Sequence, residues 1–147
     1  MEIADALRQY GAESTSDTRE LWRRMLFNVL ISNTDDHPRN HGFIYVGPSG
    51  WRLSPAYDLN PVPADIRPRI LSMTIDEADG TCSLELIMKH AEYFDISAKH
   101  ARVAAKEVAN VVKNWRGKAQ ELGIPKGEIE RMATAFEHDD LRNAAKL

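Results

Sequence analysis

The stretch that most constrains this chain runs from Asn33 to Pro61, where two polar loops flank two short apolar segments. The first loop reads Asn33-Thr34-Asp35-Asp36-His37-Pro38-Arg39-Asn40, and the second reads Pro55-Ala56-Tyr57-Asp58-Leu59-Asn60-Pro61. Between them lie His41 to Val46 and Trp51 to Pro55, separated by Gly47-Pro48-Ser49-Gly50, a composition that predicts a four-residue hairpin loop. A hairpin brings its outer ends together, so Asp35, Asn40 and Asp58 are expected to be neighbours although 23 residues separate the first from the last. Two carboxylates and an amide gathered in one place call for a cation. Mg²⁺ fits that need, because it prefers hard oxygen ligands and completes its shell with substrate phosphates.

The flanking sequence reads as helix. Glu2 to Tyr10 has apolar residues at helical spacing and stops at Gly11. Ser14-Thr15-Ser16-Asp17 offers N-caps for a helix reaching about Ile31, with Leu21, Trp22, Met25, Leu26, Val29 and Leu30 on one face. That helix delivers the chain straight into the first polar loop, giving it rigid support. In the hairpin, Phe43 and Tyr45 alternate with Ile44 and Val46, but strands this short need helices to pack on. Pro61, Pro63 and Pro68, with Arg67 and Arg69, predict an extended exposed connection, then a third strand over 70–75 and a turn over 76–80. Ser83 caps a helix to about Phe94, and Ser97 caps a longer one that Gly123 closes. Pro125 opens the last main helix, Lys126 to about Glu137, and His138 to Leu147 form a short or frayed one. The expected architecture is one mostly α-helical α+β domain over 1–147, since 147 residues with 43% apolar content suffice for one core.

Charge and cysteine use narrow the function classes. A net charge of -3 gives no overall basic field for nucleic acid. The Lys- and Arg-rich run between Ala98 and Leu122 reads as a solvated helix face rather than a contact surface. Cys82 is the single cysteine, so no internal disulfide or CxxC motif exists, which fits a reducing cytoplasm. No stretch approaches the ~20 apolar residues of a membrane span, and the start lacks the pattern of a signal peptide. His37 and His41 have the spacing of a helical zinc pair, but Pro38 between them argues against a helix there. The plainest alternative for the first loop is an Asx-rich turn with no chemistry, which accounts for one Asp but less well for three converging groups.

Phosphoryl transfer from a nucleotide needs a carboxylate aimed at the acceptor hydroxyl and groups that hold Mg²⁺ against the phosphates. A kinase catalytic loop supplies a base Asp and an Asn five residues later, with a second metal-binding Asp further on. Asp35 and Asn40 have that spacing, Asp36 is one residue too close, and Asp58 stands where the second carboxylate belongs.

Asn33 to Phe43 together with Trp51 to Leu59 closely resembles the C-terminal part of the HipA family of bacterial serine/threonine kinases, the toxin half of a toxin–antitoxin pair. The resemblance implies a kinase-like C-terminal lobe in which Asp35 is the catalytic base and Asn40 and Asp58 bind Mg²⁺. His37, Pro38, Arg39, Asn40, Tyr57 and Asp58 would then line the phosphate side of ATP. It further implies a HipB-like DNA-binding antitoxin as partner, operator DNA bound only through that complex, and a protein substrate such as an aminoacyl-tRNA synthetase. The family's nucleotide-covering N-terminal half, with its phosphate-covering loop and phosphate-pairing lysine, has no counterpart in Met1 to Ser32, and no lysine precedes Lys89. The isolated chain is therefore expected to be inactive. A non-catalytic module that binds the antitoxin or DNA is the alternative. A small-molecule phosphotransferase fits less well, because there a His commonly precedes the base, whereas His37 follows it.

Overall fold

The computed structural model describes residues 1–75 and 79–147, so part of the turn expected over 76–80 lies outside the described residues. The fold is mostly helical with one two-stranded antiparallel sheet, an α+β arrangement built on a central helix. α1 (Glu2–Tyr10) and α2 (Ser14–Leu30) pack against each other. α2 buries Leu21, Trp22, Met25, Leu26, Val29 and Leu30, the face its periodicity predicts. Trp22 is fully buried, and its indole N–H donates to the Ile87 carbonyl at 3.0 Å, so its one polar atom costs nothing to bury.

Around α2 stand α3 (Leu84–Lys89), α4 (Ala98–Val112) and α8 (Asp139–Ala144). Ser83 and Ser97 cap α3 and α4 as expected, each hydroxyl accepting a backbone N–H three residues on. α4 turns Ala101, Ala105 and Ala109 to the core. Small residues at that spacing let α8 approach closely and bury Leu141 and Ala144.

The hairpin consists of β1 (Phe43–Tyr45) and β2 (Trp51–Leu53), with Phe43 opposite Leu53 and Tyr45 opposite Trp51. Its loop closes by hydrogen bonds between Gly47 and Gly50 and from Val46 to Gly50. Gly50 has φ 113°, and a Cβ there would lie 2.3 Å from the Tyr10 carbonyl oxygen, so only glycine lets the hairpin meet the end of α1. β2 is fastened to the helices by the Ala12 N–H donating to the Trp51 carbonyl and by Asp17. The buried Asp17 carboxylate accepts from Arg52 through Nε and Nη2, both at 2.9 Å, and from the Leu53 N–H at 2.9 Å. Burial alone would raise this carboxyl, but the Arg52 and Leu53 hydrogen bonds outweigh it and hold it below the usual carboxylate range. Asp17 is thus a clamp within α2 rather than the N-cap its position suggests.

Four expected elements are cut shorter. The third strand over 70–75 reduces to a single antiparallel bridge between Ile70 and Thr81. The helix from Ser83 breaks at His90 into a 3-10 turn, Ala91–Phe94, closed by Asp95 in a left-handed conformation. The helix from Ser97 breaks after Val112, where the Asn114 side chain donates to the Asn110 carbonyl and competes with the helix ladder. The turn lets α5 (Trp115–Glu121) stack Trp115 on Phe136, with centroids 4.5 Å apart. The last main helix divides at Met132 into α6 (Lys126–Arg131) and α7 (Ala133–Phe136). Among the described residues, no helix is long and apolar enough to cross a membrane.

Candidate active site

The first polar loop leaves a helix end two of whose carbonyls accept from side chains far away in sequence. Arg69 Nη2 donates to the Val29 carbonyl at 3.0 Å, and His138 Nε2 pairs with the Leu30 carbonyl at 3.1 Å. Arg69 is itself held by Asp140 at 2.7 Å. Burial, then the nearby Arg69 cation, lower the His138 pKa and keep its imidazole neutral, consistent with Nδ1 accepting the Leu141 N–H. Ser32 then takes a left-handed conformation, φ 54°, and turns the chain into the loop.

Within the loop a buried polar relay fixes which acid faces outward. Asn28, on α2, donates through Nδ2 to Asp36 Oδ2 at 2.9 Å and accepts from Asn33 Nδ2 at 3.1 Å. The other Asp36 oxygen pairs with His41 Nε2 at 3.0 Å. Asp36 is 4% exposed and both its oxygens are engaged. A buried carboxylate so paired is a structural member of the loop. Neighbouring Asp35 faces outward, its side chain 66% exposed, where Arg67 Nη1 donates to Oδ1 at 2.6 Å. The relay also occupies His41 Nε2, while Nδ1 of both His37 and His41 is buried without a hydrogen-bond partner among the described residues. No group of three His, Cys, Asp or Glu side chains that could hold a metal exists among the described residues.

The second loop and its flanks are held against the first loop and its flanks by hydrogen bonds. Ser54 N–H donates to the Gly42 carbonyl at 2.9 Å, Tyr57 Oη to the Arg39 carbonyl at 2.8 Å, Asn33 Nδ2 to the Asp58 carbonyl at 3.4 Å, and Val62 N–H to the Ser32 carbonyl at 3.2 Å. Gly42 permits this approach, since a Cβ there would meet Ser54 Oγ at 2.9 Å and Tyr57 Oη at 3.4 Å. Asp58 sits in a left-handed conformation, φ 58°, that Asp tolerates better than most residues, and its exposed carboxylate accepts from Asn60 at 2.6 Å. Asn40 ends a 3-10 turn, Pro38–Asn40, and is buried, yet its amide makes no side-chain hydrogen bond among the described residues. His37 is half-buried, while Pro38, Arg39 and Tyr57 are exposed.

The two loops are therefore adjacent, while no direct hydrogen bond joins the Asp35, Asn40 and Asp58 side chains. The Asn40 amide, with no side-chain hydrogen bond among the described residues, and the exposed Asp58 carboxylate on the neighbouring loop are hard-oxygen groups that could hold Mg²⁺. Sequence reasoning missed Arg67, Asn28 and the anchoring role of Asp36. The signal for Asn28 was present, as a polar residue on the apolar face of a core helix.

Comparison with known proteins adds to this geometry. The family model for the HipA-like C-terminal domain matches residues 1–116. A candidate kinase of Haemophilus influenzae is 29% identical over 98 residues, covering 63% of this chain and 29% of that protein. The candidate kinase Y4dM of Sinorhizobium fredii is 48% identical over 53 residues, covering 35% of this chain and 13% of its own length. The matched part of this chain thus spans less than a third of either relative. No solved structure matches.

Proposed function

The chain belongs to the HipA-like C-terminal domain family, and on that premise we propose that it is the catalytic lobe of an ATP- and Mg²⁺-dependent serine/threonine protein kinase. The observation that carries the reading is the division of labour between adjacent acids. Asp36 is consumed by Asn28 and His41, which leaves Asp35 as the one carboxylate of the loop presented to solvent beside the docked second loop.

In this reading the acceptor serine hydroxyl gives its proton to Asp35 as its oxygen bonds to the γ-phosphorus. The bond from that phosphorus to the β–γ bridging oxygen breaks, and ADP leaves with the electron pair. Asn40 and Asp58 would hold Mg²⁺, whose role when bound is to neutralise charge on the phosphates. His37, Pro38, Arg39 and Tyr57 would line the phosphate side. The kinase names of the two relatives support the activity class. A HipB-like antitoxin, operator DNA reached through it, and a translation component such as an aminoacyl-tRNA synthetase as substrate are part of the same proposal.

Calorimetric titration of Mg²⁺ and ATP into this chain, beside Asp58→Ala and Asn40→Ala, tests it. We expect binding in the parent chain, even at millimolar affinity, that both substitutions weaken, and no turnover by the isolated chain. Absence of heat in all three would sink the catalytic reading. It would favour instead an interaction module that binds the antitoxin or DNA. The exposed apolar residues of the hairpin, Phe43, Ile44, Tyr45, Val46 and Trp51, give that second reading its support.

A further inference from the structure

Two arginine–aspartate pairs flank the hairpin, and they are built differently. Arg52 grips Asp17 through two nitrogens, with the carboxylate buried and a backbone N–H completing its shell. Arg67 touches Asp35 through one nitrogen and one oxygen, with side chains 43% and 66% exposed. Asp35 has no other side-chain partner among the described residues. An exposed pair of this kind contributes little to stability, so the fold does not account for it. Arg67 is nevertheless aimed with care. Upstream, Ala64 N–H donates to the Thr134 hydroxyl of α7, and Arg67 N–H closes a turn onto the Pro63 carbonyl. Downstream, Ser72 is fixed to the Thr34 carbonyl by both its N–H and its hydroxyl, and Ser72 Oγ accepts from Arg67 Nη2 at 3.0 Å. The residue beside Asp35 therefore positions the guanidinium that reaches Asp35.

We propose that Arg67 is a phosphate-binding residue of this site, resting on Asp35 until the terminal phosphate of a nucleoside triphosphate draws it away. The inference rests on the phosphotransfer reading above and extends it to a residue outside both polar loops. A guanidinium held by one carboxylate oxygen gains from exchanging it for a phosphate, which offers two oxygens to the planar fork and more negative charge. The exchange also frees Asp35 Oδ1 at the moment an acceptor hydroxyl needs it. Two exposed acids, Asp35 and Asp58, would otherwise face the phosphates, and Arg67 supplies a cation already tethered beside one of them.

The test is calorimetry with Mg²⁺–ATP and Mg²⁺–ADP on the parent chain, Arg67→Ala and Arg67→Lys, with thermal melts as a control for folding. Arg67→Ala is expected to weaken ATP binding by about tenfold and to leave ADP binding within about twofold, because only ATP carries the third phosphate. Arg67→Lys keeps the charge without the fork and should fall between. Equal weakening for both nucleotides, or none for either, overturns the assignment of Arg67 while leaving the phosphotransfer reading intact. A parent chain that binds neither nucleotide overturns both together.

Discussion

At the scale of single residues, three aspartates do different work because their surroundings differ. Asp17 is clamped on Arg52, Asp36 is enclosed by Asn28 and His41, and Asp35 stands in solvent. The distinction between the last two is open to a direct comparison by urea denaturation. Asp36→Ala leaves the buried Asn28 amide and the His41 ring without their acceptor, and should cost about 3 kcal/mol. Asp35→Ala removes half of an exposed pair and should change stability by less than about 0.5 kcal/mol. A large loss for Asp35→Ala with little for Asp36→Ala would reverse the assignment of the two acids. The sequence distinguished them only by counting back from Asn40, which carries no information about burial. It said nothing of the acids that Arg52 and Arg67 pair with, because each lies more than thirty residues away.

At the scale of elements, the decisive feature is the C-terminal end of α2. Carbonyls at a helix end need donors, and here Arg69 adds one from the connection after the hairpin to the Ser32 N–H on the Val29 carbonyl, while His138 pairs with the Leu30 carbonyl from the start of α8. This end launches the Asn33 to Asn40 loop, so its capping sets where Asp35 stands. His138 makes that capping pH-dependent. Its folded pKa is lowered, whereas the unfolded chain has the ordinary value near ~6.5, so the unfolded state binds the proton more readily. The contribution of His138 is complete above the unfolded pKa and is lost as pH falls from there through the lowered folded value. The stability difference between the parent chain and His138→Gln, measured by urea denaturation from pH 8 down to pH 5, should therefore shrink toward the acid end. A constant or growing difference would contradict a neutral, capping His138. Helix periodicity and the Gly47 to Gly50 turn were readable because they are local patterns, and so were the serine caps. The breaks at His90, Asn114 and Met132 were not, since apolar spacing continues through them and only tertiary contacts such as the Trp115–Phe136 stack turn the chain. The third strand failed for a related reason, as its apolar residues had no neighbouring strand to extend beyond the Ile70–Thr81 bridge.

At the scale of the whole molecule, the family match and the folded unit do not end together. The match stops at residue 116, within α5, while α8 closes the core. Leu141 and Ala144 are buried against α4, Asp140 holds Arg69 and accepts the Leu84 N–H, and His138 caps α2. Burying a leucine is worth about 2 kcal/mol, and losing Asp140 would strand a partly buried arginine, so the last helix contributes a large share of a small domain's margin. A chain ending at residue 116 should consequently melt well below the full chain or without a cooperative transition, followed by circular dichroism. Because α8 secures both the helix end and Arg69 behind the first polar loop, the same truncation should abolish Mg²⁺–ATP binding although every proposed site residue remains. A shortened chain with the parent's melting temperature and nucleotide affinity would show that the elements up to α4 position the loop without α8.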